Sequence, residues 1–377
     1  MKTPLAVLPL ATLLLGGPLV HSAPLVWDQT TDETIGTVIS GTDGIEKSGT
    51  GTLTLSGTNT FTGNITISAG VLEFTKKEAL GTAPKEILLN GGTLRAIGVW
   101  SSIGGGSNNY RIRLGTAGGT LDSSGSGGLG LNNTSNLVFE GSGSRTLTLT
   151  GTNTSNSNNI GLNIVNQSVS GITSLEKTGT GVWTINGVNT YTGTTSIKAG
   201  TLRLASANTL QSATGDILVQ GGTLSNSVAT TVGGNINFSS GYIDSETTAS
   251  ITLAPGKNFT MSGGIWTVDL LADGSRDQIN GTATGAFAIT GGTLALRIES
   301  SATFDYSLTY SLLSDFGESS ISGLSITGYD TTNWLASLSN TGVLSFTAST
   351  IPEPSAFAAL AGIGALALVT LRRRRAP

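Results

Sequence analysis

Apolar and polar residues alternate along much of the chain with a period of two. Leu53 and Leu55 alternate with threonines, and Ile65 and Ile67 repeat the pattern shortly afterwards. This alternation is typical of β-strands that bury one face and expose the other. Glycine and asparagine clusters interrupt it every few residues. The sequence therefore predicts many short strands that are joined by tight turns.

A longer interval separates equivalent apolar positions. Within two series of such positions, each step has the length of one coil of a solenoid. The tetrapeptide Gly-Gly-Thr-Leu begins at residues 91, 118, 221 and 291, and each copy places a tight turn before a strand. The first series is Leu53, Leu72, Leu94, Leu121 and Leu147, and the second is Trp183, Leu202 and Leu224.

These two periods together predict an all-β fold. We expect a β-solenoid in the form of a right-handed parallel β-helix, in which stacked coils bury inward apolar columns. A leucine-rich repeat has a similar period, but its leucine spacing is missing, and no stretch between the two ends has the pattern of an amphipathic helix. An array of β-sandwiches is the alternative.

An internal repeat organises the middle of the chain. Residues 46–94 align with residues 176–224 without a gap, and 23 of the 49 positions are identical. The best-aligned motifs are Glu-Lys-Ser/Thr-Gly-Thr-Gly, Asn-Thr-Phe/Tyr-Thr-Gly and Ala-Gly. Both copies, at residues 46–74 and 176–204, resemble the autotransporter-associated β-strand repeat. The repeat-defining residues are Gly49, Gly51, Asn59, Gly63, Gly70, Gly179, Gly181, Asn189, Gly193 and Gly200.

Other parts of the chain depart from the repeat. Residues 101–110 and 122–136 are predicted to be loops that protrude from the stack. We place a boundary near Gly263, so that residues 24–263 form the solenoid and residues 264–350 a β-rich closing module. A solenoid needs such a cap to prevent end-to-end association. The aromatic residues of this module include Trp266, Phe304, Tyr306, Tyr310, Phe316 and Trp334.

The N-terminus has the pattern of a secretory signal peptide, residues 1–23. Lys2 precedes an apolar stretch, and small residues follow it. Cleavage after Ser22 is preferred to cleavage after Ala23, because the second site would place Pro24 directly after the bond. We therefore expect Sec-type export machinery and a signal peptidase as partners.

The C-terminus combines three elements within residues 351–377. A Pro-Glu-Pro triplet is followed by the largely apolar residues 356–371 and then by four arginines. This arrangement resembles a PEP-CTERM sorting signal, which has the same elements in the same order. A helix of the apolar residues would be about 24 Å long, shorter than a hydrocarbon core of about 30 Å, which suits transient anchoring. The residues of the signal are Pro352, Glu353, Pro354, Arg372, Arg373, Arg374 and Arg375.

The resemblance implies processing by an exosortase-like enzyme near the triplet. Before processing, the C-terminal hydrophobic helix would anchor the chain in the inner membrane with its C-terminus in the cytoplasm, because the arginines resist translocation. Afterwards the protein would lie at the cell surface or in the extracellular matrix. A simple membrane-anchored surface protein is the alternative.

The composition narrows the possible chemistry. Gly, Thr and Ser supply 155 of the 377 residues, and the absence of cysteine excludes disulfides and thiol catalysis. The single histidine, His21, lies in the signal peptide, so the exported chain has no imidazole for catalysis or zinc binding. Residues 24–355 carry 14 basic and 23 acidic side chains, a net charge of −9, which argues against nucleic acid as a partner.

The enzyme hypothesis is a polysaccharide lyase or a glycoside hydrolase on a parallel β-helix. Glycoside hydrolysis needs two carboxylates on one surface, about 5 to 10 Å apart. The acids align poorly between the two repeats, since Glu73 corresponds to Arg203. We therefore expect no enzyme activity and keep catalysis as the alternative. The candidate acids include Glu73, Glu86, Asp122 and Asp216.

Three aspartates suggest a calcium site but do not match a known loop. Asp269, Asp273 and Asp277 follow one another at every fourth position, unlike the residues of an EF-hand or of a calcium-binding β-roll. Asp273 followed by glycine more simply indicates a turn. We expect neither a metal nor a cofactor.

Each repeat also carries a charged pair and an aromatic residue. The pairs Glu46-Lys47 and Glu176-Lys177 precede a glycine turn, and we expect solvated charges at a coil corner rather than a binding site that occurs twice. Phe61 and Tyr191 are equivalent, and their rings could either stack on sugars or pack within a turn.

We predict an exported, non-enzymatic solenoid that acts as a structural or adhesive element, with extracellular polysaccharide as a partner. Its working surface would be the outward threonine, serine and asparagine side chains. A self-transporting autotransporter passenger is disfavoured, because the segment between Gly263 and the sorting signal is too short for a membrane barrel of many strands.

Overall fold

The computed structural model describes residues 19–21, 23–98, 101–104, 110–155, 158–246, 248–299 and 304–349. This part of the chain is all-β, apart from a short 3-10 helix at Lys77–Leu80. The predicted hydrophobic helix at the C-terminus and most of the signal peptide lie outside the described residues.

The strands stack in parallel to form a solenoid whose sheets make up three faces. Each coil passes through face 1, face 2 and face 3 in that order. Face 1 contains β1 (Leu19–His21), β4 (Ile39–Gly41), β11 (Ser101–Gly104), β14 (Leu129–Leu131), β17 (Asn159–Ile160), β19 (Val182–Ile185), β21 (Thr201–Leu204), β27 (Ile265–Leu270), β30 (Thr293–Ile298) and β34 (Ser325–Thr327).

Face 2 has two runs of paired strands, which single bridges and irregular segments connect. Its strands are β2 (Leu25–Trp27), β5 (Ile45–Lys47), β7 (Ile65–Ile67), β9 (Lys85–Leu89), β12 (Tyr110–Leu114), β15 (Val138–Phe139), β23 (Thr230–Val232), β25 (Ser250–Leu253), β28 (Gln278–Asn280) and β32 (Leu313–Ser314).

Face 3 is continuous from the first coil to the last. Two long strands, β22 (Ile217–Asn226) and β24 (Ile236–Asp244), run from face 3 onto face 1. The other strands of face 3 are β3 (Glu33–Ile35), β6 (Thr52–Leu55), β8 (Val71–Phe74), β10 (Thr93–Ala96), β13 (Gly119–Ser123), β16 (Arg145–Thr150), β18 (Thr173–Lys177), β20 (Thr195–Ile197), β26 (Phe259–Met261), β29 (Ala286–Ile289) and β33 (Glu318–Ile321).

The strand register confirms most of the predicted apolar columns. On face 3, Leu53, Leu72, Leu94 and Leu121 are successive partners, and each is fully buried. The placement of Leu147 in this column was wrong: it lies opposite Gly119, and Leu149 lies opposite Leu121. Both leucines point inward, so periodicity alone could not separate them. The column Trp183, Leu202, Leu224 on face 1 occurs as predicted.

The parallel solenoid replaces the sandwich alternative, while its right-handedness stays a prediction. The expectation of protruding loops at residues 101–110 and 122–136 was wrong where the structure describes them. Strand β11 begins at Ser101 and pairs in parallel with β14, and β14 pairs with β17. Short coil segments rich in glycine and serine can therefore continue the ladder.

The two repeats occupy different faces. The Glu-Lys motif ends β5 on face 2 in the first copy and β18 on face 3 in the second. Five successive backbone pairings along face 2 lead from the first motif to the coil that precedes the second. The second motif then lies on the next face along the chain. Their environment is therefore set by the corner that each repeat builds and not by a particular face.

Parallel stacking crosses the predicted boundary near Gly263, because β24 pairs with β27 and β27 with β30. The domain division there stays a prediction.

At the C-terminal end, β31 (Tyr310–Ser311), β35 (Trp334–Leu338) and β36 (Val343–Ala348) form an antiparallel sheet beside the last coil. The aromatic rings of Phe304, Tyr306, Tyr310, Trp334 and Phe346 pack together there.

Candidate functional site

The lysine of each repeat closes a corner from the inside. Lys177 is fully buried, and its Nζ donates to the carbonyls of Thr178, Gly179 and Ala199 at 2.5, 2.9 and 3.0 Å. Lys47 donates in the same way to Gly49 and Ala69. The expectation of solvated charges was therefore wrong for both lysines.

The pKa values of these lysines reflect their burial. Removal from water lowers the pKa of Lys47 and lowers that of Lys177 to about 8, because a charged ammonium loses its hydration. The preceding acids stay at the surface, where Glu176 pairs with Lys198 on the next coil at 2.9 Å. The Glu-Lys motif therefore divides into an outer ion pair and an inner hydrogen-bond donor.

Glycine is required where the next coil passes the lysine. Gly200 has φ +59°, and a Cβ there would lie 2.6 Å from Nζ of Lys177 and 2.4 Å from the carbonyl oxygen of Gly181. Gly70 has φ +61° and meets Lys47 in the same manner. Glycine adopts this backbone conformation without a steric penalty. At the other repeat-defining glycines, an added Cβ would also lie within 3 Å of an atom of another coil. These glycines are Gly49, Gly51, Gly63, Gly179, Gly181 and Gly193.

The asparagine of each repeat connects three coils through backbone hydrogen bonds. Asn189 is buried, accepts from the backbone N–H of Ile164 at 2.7 Å, and donates to the carbonyl of Thr209 at 2.9 Å. Asn59 accepts from Ile39 and donates to Ala79. Buried backbone groups at irregular corners need such partners.

The aromatic residues of the repeats pack inside the solenoid. Phe61 and Tyr191 are both fully buried, so neither ring can stack on a sugar from solvent. Nζ of Lys85 lies 3.7 Å from the centre of the Phe61 ring and donates to the Phe61 carbonyl at 2.8 Å. The Tyr191 hydroxyl is 2.6 Å from Oγ1 of Thr195. The corner motif is therefore a structural unit.

Three of the four acids proposed for catalysis belong to ion ladders across coils. Arg95 on face 3 binds Asp122 at 2.8 Å and Glu73 at 3.3 Å. Arg113 on face 2 binds Glu86 at 3.0 Å and Glu140 at 2.8 Å. In both ladders an arginine lies between acids of the preceding and following coils, so these acids are engaged in ion pairs.

Asp216 and the three spaced aspartates have separate roles. Asp216 accepts hydrogen bonds from Asn235 and Asn237. Asp273 accepts from the Ser275 N–H in a turn, as predicted from the glycine that follows it. Asp277 is buried, accepts from the backbone N–H groups of Ala249 and Asp269, and has a pKa raised to about 6 by burial. No group of three or more potential metal ligands occurs in the described ranges.

A polar groove of about 440 Å³ lies on face 1. Arg297 forms one wall, where its guanidinium binds Asp244 at 2.7 Å and Asp269 at 2.6 Å. Glu246, which pairs with Arg203 outside the lining, lies on the other side. Burial raises the pKa of Asp244, an effect that Arg297 opposes. The lining residues are Val182, Thr201, Thr223, Ser225, Asp244, Ser245, Glu246, Asp269 and Arg297.

Sequence reasoning did not identify this groove. Its charged residues come from β24, β27 and β30 and the turn that follows β24, so they are far apart in the chain. The signal that could have found them is the coil length, because Asp269 and Arg297 are one coil apart and are direct partners in the ladder. Without the register, no local motif distinguishes them from other surface charges.

Comparison with known protein families identifies both motifs of the chain. The family described as Passenger-associated-transport-repeat matches residues 45–74, 175–204 and 199–225. The PEP-CTERM protein-sorting motif matches residues 350–375. The chain carries passenger-associated transport repeats and a PEP-CTERM sorting motif. The resemblance drawn from the sequence is thereby confirmed, and a third, overlapping match extends the repeats to residue 225.

A curated relative shares a short part of this repeat-containing chain. The chain is 43% identical over 60 residues to the protein named Adhesin BmaC autotransporter from Brucella suis biovar 1 (strain 1330). The aligned part is 16% of this chain and about 2% of the relative. No solved structure matches the chain. The chain spans about 2% of the length of this curated relative.

The predicted sorting residues, from Pro352 to Arg375, lie outside the described residues, and so does the apolar span between them. Within the part of the chain that the structure describes, no helix is both long and apolar enough to span a bilayer.

Proposed function

We propose that the chain is an exported β-solenoid that acts as a structural or adhesive element at the cell surface or in the extracellular matrix. The observation that carries this proposal is the combination of transport repeats that build the solenoid with a sorting motif at residues 350–375. The adhesin name of the relative supports an adhesive role, although the shared part is only 60 residues long.

The surface of the solenoid supports contact with an extended partner. Parallel stacking repeats outward side chains at the strand spacing of about 4.8 Å. On face 3, for example, Thr93, Thr120 and Thr148 are successive partners in the ladder. Such rows present regularly spaced hydroxyl groups to a polymer such as an extracellular polysaccharide, and each further coil adds contacts of the same kind.

Delivery follows from the two ends of the chain. Sec-type machinery would export the chain, a signal peptidase would cleave after Ser22 or Ala23, and residues 356–371 would hold it transiently in the inner membrane. An exosortase-like enzyme would then cleave near Pro354. The arginine cluster supports a cytoplasmic C-terminus during this step.

A catalytic role has less support. Three of the four acids considered for glycoside hydrolysis, Glu73, Glu86 and Asp122, pair with arginines in the two ladders. A simple membrane-anchored protein would share the same solenoid. The proposal concerns binding, and we expect purified protein to release neither reducing ends nor unsaturated sugars from a broad panel of polysaccharides.

A deletion strain tests the adhesive role. We expect loss of the protein to reduce cell aggregation and biofilm mass, and re-expression of the full chain to restore both. As a matched control, a Glu353→Ala, Pro354→Ala chain keeps the solenoid but lacks the triplet, and should accumulate in the envelope. Unchanged aggregation and biofilm in the deletion strain would refute the proposed role.

A further inference from the structure

The groove on face 1 has a floor of small residues between charged groups. Thr201, Thr223 and Ser225 form the floor. Two acids at the end of β24 line the groove, where Glu246 is paired with Arg203 from the N-terminal side and Asp244 with Arg297 from the C-terminal side. The open space therefore lies beside two acids whose charges arginines of other coils balance.

An exposed aromatic ring flanks this space. Tyr242 is opposite Thr223 in the ladder and precedes Asp244 by two residues, so both side chains are on the outer surface of β24. The ring is 46% exposed. Aromatic rings of this kind bind the apolar faces of sugars, while planar charged groups bind their hydroxyls.

Two polar atoms next to the lining of the groove have no hydrogen-bond partner in the described part of the chain. They are the buried Nε of Arg203 and Oγ1 of Thr184. These residues are opposite each other in the ladder, and Thr184 is only 7% exposed. Buried polar groups usually have partners. A hydroxyl that enters beside Arg203 would supply an acceptor after a small rotation of the guanidinium.

The charge of the groove selects among sugars. Three carboxylates face two guanidinium groups, and all five are engaged in ion pairs. A uronic acid would have to displace one of these carboxylates from its arginine, whereas a neutral hydroxyl can accept from the arginine and donate to the acid at once.

We propose that this groove is a binding subsite for a neutral, hydroxyl-rich glycan, with Tyr242 as the stacking surface at its edge and the charged lining residues Asp244, Glu246, Asp269 and Arg297 as hydrogen-bonding partners. The inference rests on the proposed surface function, because the glycan would be part of the extracellular matrix. It names the partner's chemistry and locates the contact on face 1.

Calorimetric titration of the protein purified from a producing strain tests the site. The probes are hexamers of neutral glucose, tetramers of N-acetylglucosamine, and hexagalacturonate as the anionic comparison. We expect saturable binding of at least one neutral probe, with an affinity at least tenfold higher than that for hexagalacturonate. Absence of neutral binding, or preference for hexagalacturonate, would overturn the inference.

Two variants locate the binding. Tyr242→Ala removes an exposed ring without opening the core, and Thr223→Trp fills the floor. Each should weaken neutral binding at least tenfold while the melting temperature stays close to that of the parent. Thr93→Trp, the same substitution at an outward position on face 3, should bind normally. Equal binding by all three variants would place the site elsewhere and refute the proposal.

The cell assay separates this inference from the surface function. If Thr223→Trp abolishes oligosaccharide binding and also reduces aggregation, both proposals are supported. If the deletion strain loses aggregation but the Tyr242→Ala protein binds the neutral probes as the parent does, the solenoid is adhesive through another surface, and the groove proposal fails alone.

Discussion

Each buried lysine of the repeats donates more than one hydrogen bond from its ammonium group to backbone carbonyls. A corner between two faces leaves carbonyl groups that no neighbouring strand can satisfy. An ammonium group has three donors, and Lys177 uses them on three such carbonyls. Serine or asparagine could not reach from the same position because their side chains are shorter. The hydrogen bonds offset part of the cost of burying the charge.

Replacement of Lys177 by methionine should destabilise its corner. Methionine has a similar length but donates no hydrogen bond, so three carbonyls lose their partner, at a cost of about 1–3 kcal/mol in the free energy of unfolding. The check is urea denaturation of the variant beside Lys198→Met, which removes an exposed lysine and should change stability by less than about 0.5 kcal/mol. Equal effects of the two substitutions would show that the inner hydrogen bonds are unimportant.

The titration of Lys85 should make stability depend on pH. Burial lowers its pKa to about 7, whereas an unfolded lysine has a pKa of about 10.4. Between these values the unfolded chain binds a proton that the folded chain does not, so this group makes the free energy of unfolding rise with pH. The free-energy cost of burying the charged ammonium is therefore greatest below pH 7, where Lys85 is protonated in the folded state.

Urea denaturation at pH 7 and pH 9.5 measures this effect. The parent should gain more stability over this interval than the Lys85→Met variant, which lacks the titrating group. Parallel pH profiles for the two proteins would mean that the cation–π contact and the Phe61 carbonyl keep Lys85 charged in the folded state.

The alternation of residues contained the information that the lysines point inward. Ile45, Glu46 and Lys47 follow the pattern buried, partly exposed, buried, so Lys47 has the same orientation as Ile45. A charged residue is rarely placed inside without a known partner, and the partners here are backbone carbonyls that no sequence motif specifies. The sequence thus predicts the direction of the side chain but not the contacts that make burial possible.

The coil corner is the element that the repeat encodes. Lysine, asparagine and glycine stay at fixed distances in the sequence while the repeat moves from face 2 to face 3. Each corner also requires close approach of neighbouring backbones. The Gly-rich motifs therefore predict corners reliably, and they do not predict which face a corner precedes.

A Gly200→Ala substitution tests the corner geometry. An alanine there would have to adopt φ +59° and would meet both Lys177 and Gly181. We expect a loss of about 1–2 kcal/mol from the backbone and a further loss of about 1–3 kcal/mol from overpacking. Thermal denaturation should show a larger decrease in melting temperature for Gly200→Ala than for a substitution at a glycine that also has a positive φ but no close neighbour.

Gly274→Ala is the matched control, because Gly274 also has a positive φ, of +86°, but nothing lies within 4 Å of its Cβ position. It should therefore show only the backbone loss. If the control is as unstable as Gly200→Ala, close packing against the lysine does not explain the glycine.

Strand register could be predicted only where one inward leucine is available as a partner. The correct partners of Leu53, Leu72 and Leu94 followed from the sequence although their coils differ in length. The partner of Leu121 is Leu149, but inward leucines at positions 147 and 149 satisfy the same alternation. Where a corner contains extra residues, only the three-dimensional pairing decides between them.

At the scale of the whole molecule, stability is distributed along the stack. Each coil contacts mainly its neighbours, so free energy accumulates coil by coil. The parallel ladders end at β33 and β34, and the antiparallel strands β35 and β36 pack beside them. The backbone N–H of Ile321 in β33 donates to the side-chain oxygen of Asn340, which lies in the turn between β35 and β36. Since β33 and β34 are otherwise largely exposed, the role of this sheet as a cap against pairing with another chain stays a prediction.

Opening of this cap should promote self-association. Phe346 packs against Tyr306 and Phe304, with ring centres 5.0 and 5.9 Å apart, and Phe346→Ala should cost about 3–5 kcal/mol locally. Light scattering after gel filtration should detect oligomers that increase with concentration. Thr347→Ala, an exposed neighbour, should stay in the parent's state. A Phe346→Ala protein with an unchanged mass at every concentration would contradict the capping role.

The sequence predicts the overall plan of the molecule better than its binding surface. Periodicity indicated a solenoid because every coil repeats the same requirement for an inward apolar column. The face 1 groove is lined by residues from Val182 to Arg297, which belong to several coils and come together only through stacking. A surface assembled in this way has no local signature.

The most direct test of the account is a C-terminal peptide map of the native protein, obtained by mass spectrometry separately from the cell envelope and the culture medium. The account predicts that peptides end near Pro354 and that residues from Ala356 onwards are absent from the mature form. Persistence of the tail up to Leu371 in the envelope, with no shortened form in either fraction, would contradict processing at the sorting motif and indicate a simply anchored surface protein.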